Sequence, residues 1–221
     1  MLFSNRYFRT VFCYIFALCF FFSGFKLSFA TPSEHVVIAR NILNEVMLLL
    51  KSNDKSDRQK KQTIVDRYMK NINFEWSAKM ALGRSYLQLS PKDQSKYLEE
   101  YRKYVMYTWL QKLNYDPKSG LKINVLDKSS KINDTDENII LLVAFKDGAK
   151  YNMSLRTRMT NNNLFQILNL SFENVDIALT YRSQFLEYIE QHKNDPKSVI
   201  GYLKKQNREK EKTVNFRLPS N

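Results

Sequence analysis

Two histidines, His35 and His192, two cysteines, Cys13 and Cys19, and a scatter of carboxylates are the residues of this 221-residue chain with the types that could do chemistry. Catalysis needs a nucleophile, a general base or a metal, held in a fixed constellation. The histidines stand far apart, with no HExxH motif and no cysteine pair beside them, so both read as surface histidines rather than ligands. Gly83-Arg84-Ser85 is followed by Tyr86-Leu87 and fails the GxSxG pattern that presents a nucleophilic serine. The five glycines form neither GxGxxG nor a phosphate-cradling loop. Asp134-Thr135-Asp136-Glu137-Asn138 opens like a calcium loop, but the glycine and the distal glutamate of that motif are missing. It reads as a solvated hairpin loop. Glu99-Glu100 falls on the outer side of an amphipathic helix and reads as a solvated face. No metal and no cofactor are implied.

The charge balance points elsewhere. Lys and Arg outnumber Asp and Glu by 35 to 22, a formal charge of +13, and 14% of the residues are aromatic. That combination invites a nucleic-acid reading, yet Lys112, Lys118, Lys122 and Lys128 come closest to a patch and no aromatics are interleaved with them. The first thirty residues account for much of the composition. Arg6 and Arg9 precede an almost wholly apolar run from Thr10 to Phe25, and Ser28-Phe29-Ala30 offers a cleavage site after Ala30. The run falls short of a membrane span. An exported chain is expected, with a cleaved signal over residues 1–30. Both cysteines leave with it, and the loss of Arg6, Arg9 and Lys26 lowers the formal charge to +10. The mature chain has no thiol, so its core alone must hold it. Its positive charge suits anionic lipid headgroups.

The elements that would position any site read as helices, then a sheet, then helices. Ser33 caps a helix marked by Val36, Ala39, Leu43, Met47 and Leu50. Residues 51–61 form a charged break, and Ile64, Val65, Tyr68 and Ile72 mark a second helix. Phe74 to Gly83 is a short helix closed by a glycine able to turn left-handed. Ser90-Pro91-Lys92-Asp93 is a helix start, with a cap, a proline in the first turn and an acid at the positive end of the dipole. From it Tyr97, Tyr101, Val105, Trp109 and Leu113 follow one face to about Asn114. Past Pro117 and Gly120 the period falls to two. Four strands are predicted: Leu121 to Val125, Asn138 to Phe145, the alternation Tyr151-Met153-Leu155, and Leu164 to Phe172. Short turns at Lys146-Asp147-Gly148 and Asn161-Asn162-Asn163 make them an antiparallel meander. Ile177, Tyr181, Phe185 and Ile189 return to helix, Asp195-Pro196 opens a last short one, and residues 206–221 read as a polar, frayed tail.

The expected fold class is α+β: a four-stranded antiparallel sheet packed against several helices, forming a cup. Tyr101, Val105, Met106, Trp109, Val143, Phe145, Tyr151, Met153, Phe165 and Ile167 are the candidates to line its apolar hollow. A filled core has the same periodicity, which therefore does not separate the two.

Several segments in order resemble the MlaC-type (toluene-tolerance) family of periplasmic phospholipid-binding proteins. Phe74-Glu75-Trp76 with Met80-Ala81-Leu82-Gly83 is similar to that family's first segment. Ser90-Pro91 to Gln94, then Tyr97, Tyr101 and Tyr104, resembles the helix that follows. Phe165-Gln166-Ile167 through Ile177 to Phe185 resembles its strand-to-helix stretch. The likeness covers about residues 33–205, with domain boundaries at 31–205. Phe165 stands for the usual Trp, Asn169 for Asp and Asn174 for Gly, while Asp176 occupies a position where a small polar residue is common. Asn tolerates left-handed geometry, so the turn at Asn174 is expected to survive.

The resemblance implies a carrier and no enzyme. Such proteins take a phospholipid's acyl chains into an apolar cavity and leave the headgroup at its mouth, where Lys150 and Arg182 are the candidate charges. They exchange it with an outer-membrane lipoprotein complex and an inner-membrane ABC transporter that carries an MCE-type subunit, which keeps the outer membrane asymmetric. Two chains with about thirty methylenes in total are worth roughly 24 kcal/mol of burial at ~0.8 per methylene, so only near-complete shelter competes with a bilayer. The alternatives are an exported enzyme on a related cup-shaped fold acting on a small apolar substrate, and a structural adaptor with a packed core.

Overall fold

The computed structural model describes residues 32–112, 122–144 and 146–218. The expected signal segment with its cysteines, the candidate Phe145, and Leu113, Asn114, Pro117, Lys118, Gly120 and Leu121 lie outside the described residues. Among the described residues the elements run α1 (Glu34–Lys51), α2 (Asp57–Arg67), α3 (Phe74–Leu82), α4 (Pro91–Lys112), β1 (Lys122–Lys131), β2 (Asp136–Ala144), β3 (Lys150–Met159), β4 (Phe165–Phe172), β5 (Val175–Asp176), α5 (Ile177–Gln191) and α6 (Ser198–Val214).

The helices begin where their caps stand. The Ser33 hydroxyl accepts from Val36 N and donates to Glu137 of β2, which ties the start of α1 to the sheet. Ser56 and Gln59 form a reciprocal capping box, so α2 starts inside the segment expected as a charged break, and only residues 52–56 interrupt the helices. Ser90 accepts from Asp93 N at 3.2 Å, as the Ser-Pro start of α4 predicts. α6 is no short helix; it runs seventeen residues. Its end is not frayed either. Val214, Phe216 and Leu218 are buried, and Lys61 Nζ donates to Val214 O at 3.0 Å. The apolar residues that hold this end come singly among charges, too sparse to register as a pattern.

The sheet has five strands in the order β1-β2-β3-β4-β5, all antiparallel, where four were expected. The fifth is two residues long and follows the two-residue turn Glu173-Asn174, both at positive φ (47° and 65°). Positive φ at both positions is the hairpin geometry that matches strand twist. A two-residue strand leaves no alternation to read. On the inward face Ile139, Leu141 and Val143 of β2 stand opposite Leu155, Met153 and Tyr151 of β3. α1 lies on part of that face, packing Val36 and Ala39 against Ile139, Leu141, Leu155 and Phe165.

The other helices form a layer of their own. Ala81, Leu82, Tyr97, Tyr101, Tyr104, Phe185 and Leu203 bring α3, α4, α5 and α6 together. Its rings meet both edge to face, as Tyr104 and Tyr181 do with centroids 5.4 Å apart, and stacked, as Tyr181 and Phe185 do. Such pairs add about 0.5–1.5 kcal/mol each beyond area burial. Met47, Leu50, Ile64, Met106, Leu110 and Phe216 close the far end of this layer.

Three polar residues read as solvated are buried instead. His35 Nδ1 bonds the Thr157 hydroxyl at 2.8 Å, and that hydroxyl donates on to Glu137 O. Glu100 accepts from Asn207 Nδ2 at 2.8 Å, between α4 and α6. Asp136 is fully buried and accepts from Arg158 Nε at 2.6 Å and Arg156 Nη2 at 2.9 Å. The hydrogen bond from Arg158, then that from Arg156, hold its carboxyl well below the usual carboxylate range against the opposing cost of burial. Each partner lies far off in the chain, invisible to local pattern.

Candidate functional site

Between the sheet and the helical layer runs an apolar slot. Tyr101, Val105 and Trp109, one to two turns apart on α4, form one wall; Ile167, Leu168 and Leu170 of β4 face them. Ile72, Ser77 of α3, and Ile177, Ala178 and Tyr181 of α5 close the sides. The slot's free volume is about 30 Å³. That is roughly the share of liquid volume of a single water, whereas small-molecule pockets span roughly 300–1,000 Å³.

Polar contacts pin both flanks of the slot, and apolar contacts fill its middle. On one side Asn73 N donates to Ile167 O at 2.9 Å and Asn73 Nδ2 to Gln166 Oε1 at 2.9 Å, while the Asn73 side chain also caps α3. On the other, Asn169 Nδ2 donates to Asp176 Oδ2 at 2.5 Å, and Asn169 Oδ1 accepts from Ala178 N. Asp176 in turn caps α5 through Leu179 N at 2.9 Å. The two departures at 169 and 176 therefore complement each other: the amide donates to a carboxylate where two carboxylates would repel. Asn174 keeps its turn at φ 65°, as expected.

The lining described here contains no carboxylate, imidazole or cation. Its ionisable groups are the phenols of Tyr101 and Tyr181, and burial pushes both upward. They stay neutral at any ordinary pH. A neutral slot walled mostly by apolar side chains can shelter apolar matter, and none of its lining groups is ionised to act as a base.

Of the residues expected to line a hollow, Tyr101, Val105, Trp109 and Ile167 meet in this slot. Met106, the next residue to Val105, is turned about 100° around α4 and packs in the end cluster. Val143, Tyr151, Met153 and Phe165 share the inward face of the sheet but do not border the slot: Phe165 lies under α1, and Tyr151 stacks near Phe172 at 5.3 Å. Lys150 is exposed at the start of β3, beside Tyr151. Arg182, the other headgroup-side candidate, lays its guanidinium against Gly83, which links α5 to the end of α3. The wall residues that pattern missed, Leu168, Leu170, Ala178 and Tyr181, sit in the strand-to-helix stretch already singled out. There the signal was position within a segment, not residue type.

With that geometry in place, comparisons with known proteins add two findings. A family model described as MlaC protein matches residues 40–205. Among solved structures the chain is similar to the phospholipid-binding protein from Ralstonia solanacearum in complex with a phospholipid. The TM-score is 0.68 at 17% identity, over 80% of this chain and 99% of that one. At that identity the likeness is one of fold. No curated protein sequence matches the chain.

Proposed function

Because the chain belongs to the MlaC family, we propose that it is a phospholipid carrier whose acyl-chain cavity is the slot in an opened state. The observation that carries this reading is the slot itself: apolar walls drawn from β4, α4, α5 and the α3 region, with no carboxylate, imidazole or cation among them. That the fold's neighbour from Ralstonia solanacearum is described in complex with a phospholipid supports the choice of ligand. The apolar row continues beyond the slot along the inward face, through Leu170, Met153, Phe172 and Tyr151. From Ile167 to Phe172 the strand spans roughly 17 Å at ~3.3 Å per residue, enough length to follow an acyl chain.

The closed slot must widen more than tenfold to take even one chain. Apolar contacts are non-directional, so an entering chain replaces the contacts it displaces, and the hydrogen bonds at Asn73 and Asn169 need not break. The wall residues are Tyr101, Val105, Trp109 and Ile167, with Tyr151 and Met153 along the path of the chain and Lys150 on the headgroup side. The carrier works in the periplasm after export, exchanging lipid with an outer-membrane lipoprotein complex and an inner-membrane ABC transporter through its MCE-type subunit. Family membership supports that setting. The enzyme alternative loses ground because the one buried hydroxyl row in the slot is shifted away from ionisation, opposite to what a catalytic base needs.

Trp109 makes the reading testable. Trp76 and Trp109 are the two tryptophans of the sequence. A Trp76→Phe variant leaves Trp109 as sole reporter in the slot wall. Mixed with vesicles whose phospholipids are brominated on the acyl chains, its emission is expected to be quenched, and headgroup-brominated lipid should quench far less. Equal or absent quenching overturns the slot as the lipid site.

A further inference from the structure

A second concavity, which shares no lining residue with the slot, has the opposite chemistry. Arg58 in the first turn of α2, Arg208, Glu211 and Lys212 near the end of α6, and Asn215, Phe216 and Arg217 just beyond it enclose an open groove of about 500 Å³. Glu211 is already engaged, accepting from Arg217 Nε at 2.8 Å. Among the described residues Arg58, Arg208 and Lys212 have no ion-pair partner. Four cations against one carboxylate therefore converge on one hollow, drawn from opposite ends of the domain by the packing of α2 and α6.

The groove is built rather than loose. Phe216 is buried beneath it, 5% exposed, in the same cluster as Ile64 and Met106. Lys61 holds Val214 O, Asn215 turns the chain at φ 49°, and the Tyr107 hydroxyl accepts from Leu218 N at 3.4 Å. The segment carrying Arg217 is thus fixed at both ends. Uncompensated cations facing one concavity repel each other, and an anion with several oxygens relieves that repulsion. Guanidinium forks bind such oxygens in pairs, and two arginines with a lysine match a phosphate better than a single carboxylate.

We propose that the groove between the start of α2 and the end of α6 is a phosphate-binding site, taking the phosphate of a soluble ester or of a membrane headgroup. The site does not depend on the slot holding lipid. The test is an amide-resolved NMR titration of the full mature chain with inorganic phosphate, against sodium chloride at matched ionic strength. Saturable shifts at Arg58, Arg208, Lys212 and Asn215 are expected with phosphate alone. Arg58→Gln with Arg208→Gln, both exposed and so compatible with an unchanged fold, should weaken binding roughly tenfold or more while leaving acyl-chain quenching of Trp109 intact. Cosedimentation with vesicles of phosphatidylglycerol, compared with phosphatidylcholine, then separates the sources: retention lost in the double variant assigns a headgroup, and none assigns a soluble ester. Shifts equal in chloride and phosphate, or unchanged in the double variant, overturn the proposal. So does a groove that ignores phosphate and binds a poly-glutamate peptide, which would assign it to a protein partner.

Discussion

Gly83 closes α3 at φ 58° and ψ −135°, a region open to glycine, and a Cβ there would meet the Arg182 guanidinium at 3.0–3.1 Å. Backbone strain of this kind costs about 1–3 kcal/mol for any side chain. Gly83→Ala is therefore expected to lower unfolding free energy by about 2 kcal/mol in urea titration, and Arg182→Ala should restore only part of it, since the crowding goes but the strain stays. Full restoration by Arg182→Ala would show that contact, not backbone, governs the position. Asp136 offers a second test. Its folded-state affinity for protons is depressed, so its contribution is present above the unfolded aspartate value of about 3.9 and fades as pH falls below it. Asp136→Asn should cost roughly 3 kcal/mol at pH 7, because two half-exposed guanidinium groups lose the buried charge they bond. The gap between variant and wild type should narrow steadily below pH 4. A gap independent of pH would mean that packing rather than charge is lost. The residue scale is where the sequence was least legible. His35, Glu100 and Asp136 each look solvated in isolation and are buried because Thr157, Asn207 and the Arg156–Arg158 pair reach them from elsewhere in the chain.

At the scale of elements, period and caps carried most of the information. Ser33 and Ser90 cap the helices read from them, and the switch from a period near four to a period of two marks where the sheet begins; the caps at Ser56 and Asp176 emerge only in the fold. What escaped is what has no period: the two-residue β5, and the anchored end of α6. Phe216→Ala tests the latter. A buried phenylalanine in the end cluster is worth about 3 kcal/mol, whereas one on a frayed tail would change stability by a few tenths. The slot wall was half legible for a related reason. Sequence alternation marks the inward face of β3 through Tyr151, Met153 and Leu155, but not which stretch of the sheet α1 covers and which stretch α4 approaches. Filling the slot should separate lining from core. Val105→Trp, or Leu170→Trp where overpacking of the more buried Val105 prevents folding, should reduce bound lipid several-fold with the far-ultraviolet circular dichroism unchanged. Val143→Trp on the same sheet face but outside the slot should reduce it less. The reverse order would move the cavity toward the hairpin end of the sheet.

At the scale of the molecule, the domain is a sheet with its own helix, α1, set against a layer of helices with its own aromatic core, and the seam between the two is apolar, neutral and nearly closed. A seam of that kind stores a site without keeping a void open to water, and occupancy would hold the layers apart by the acyl chains themselves. The proposed occupant is a diacyl phospholipid. Its presence is tested most directly by native mass spectrometry of the protein purified gently from cells. One phospholipid per chain, released at raised collision energy and absent from the Val105→Trp protein, is the result expected. A wild-type chain that arrives bare and stays bare after incubation with phospholipid vesicles would rule out phospholipid as the occupant of the slot.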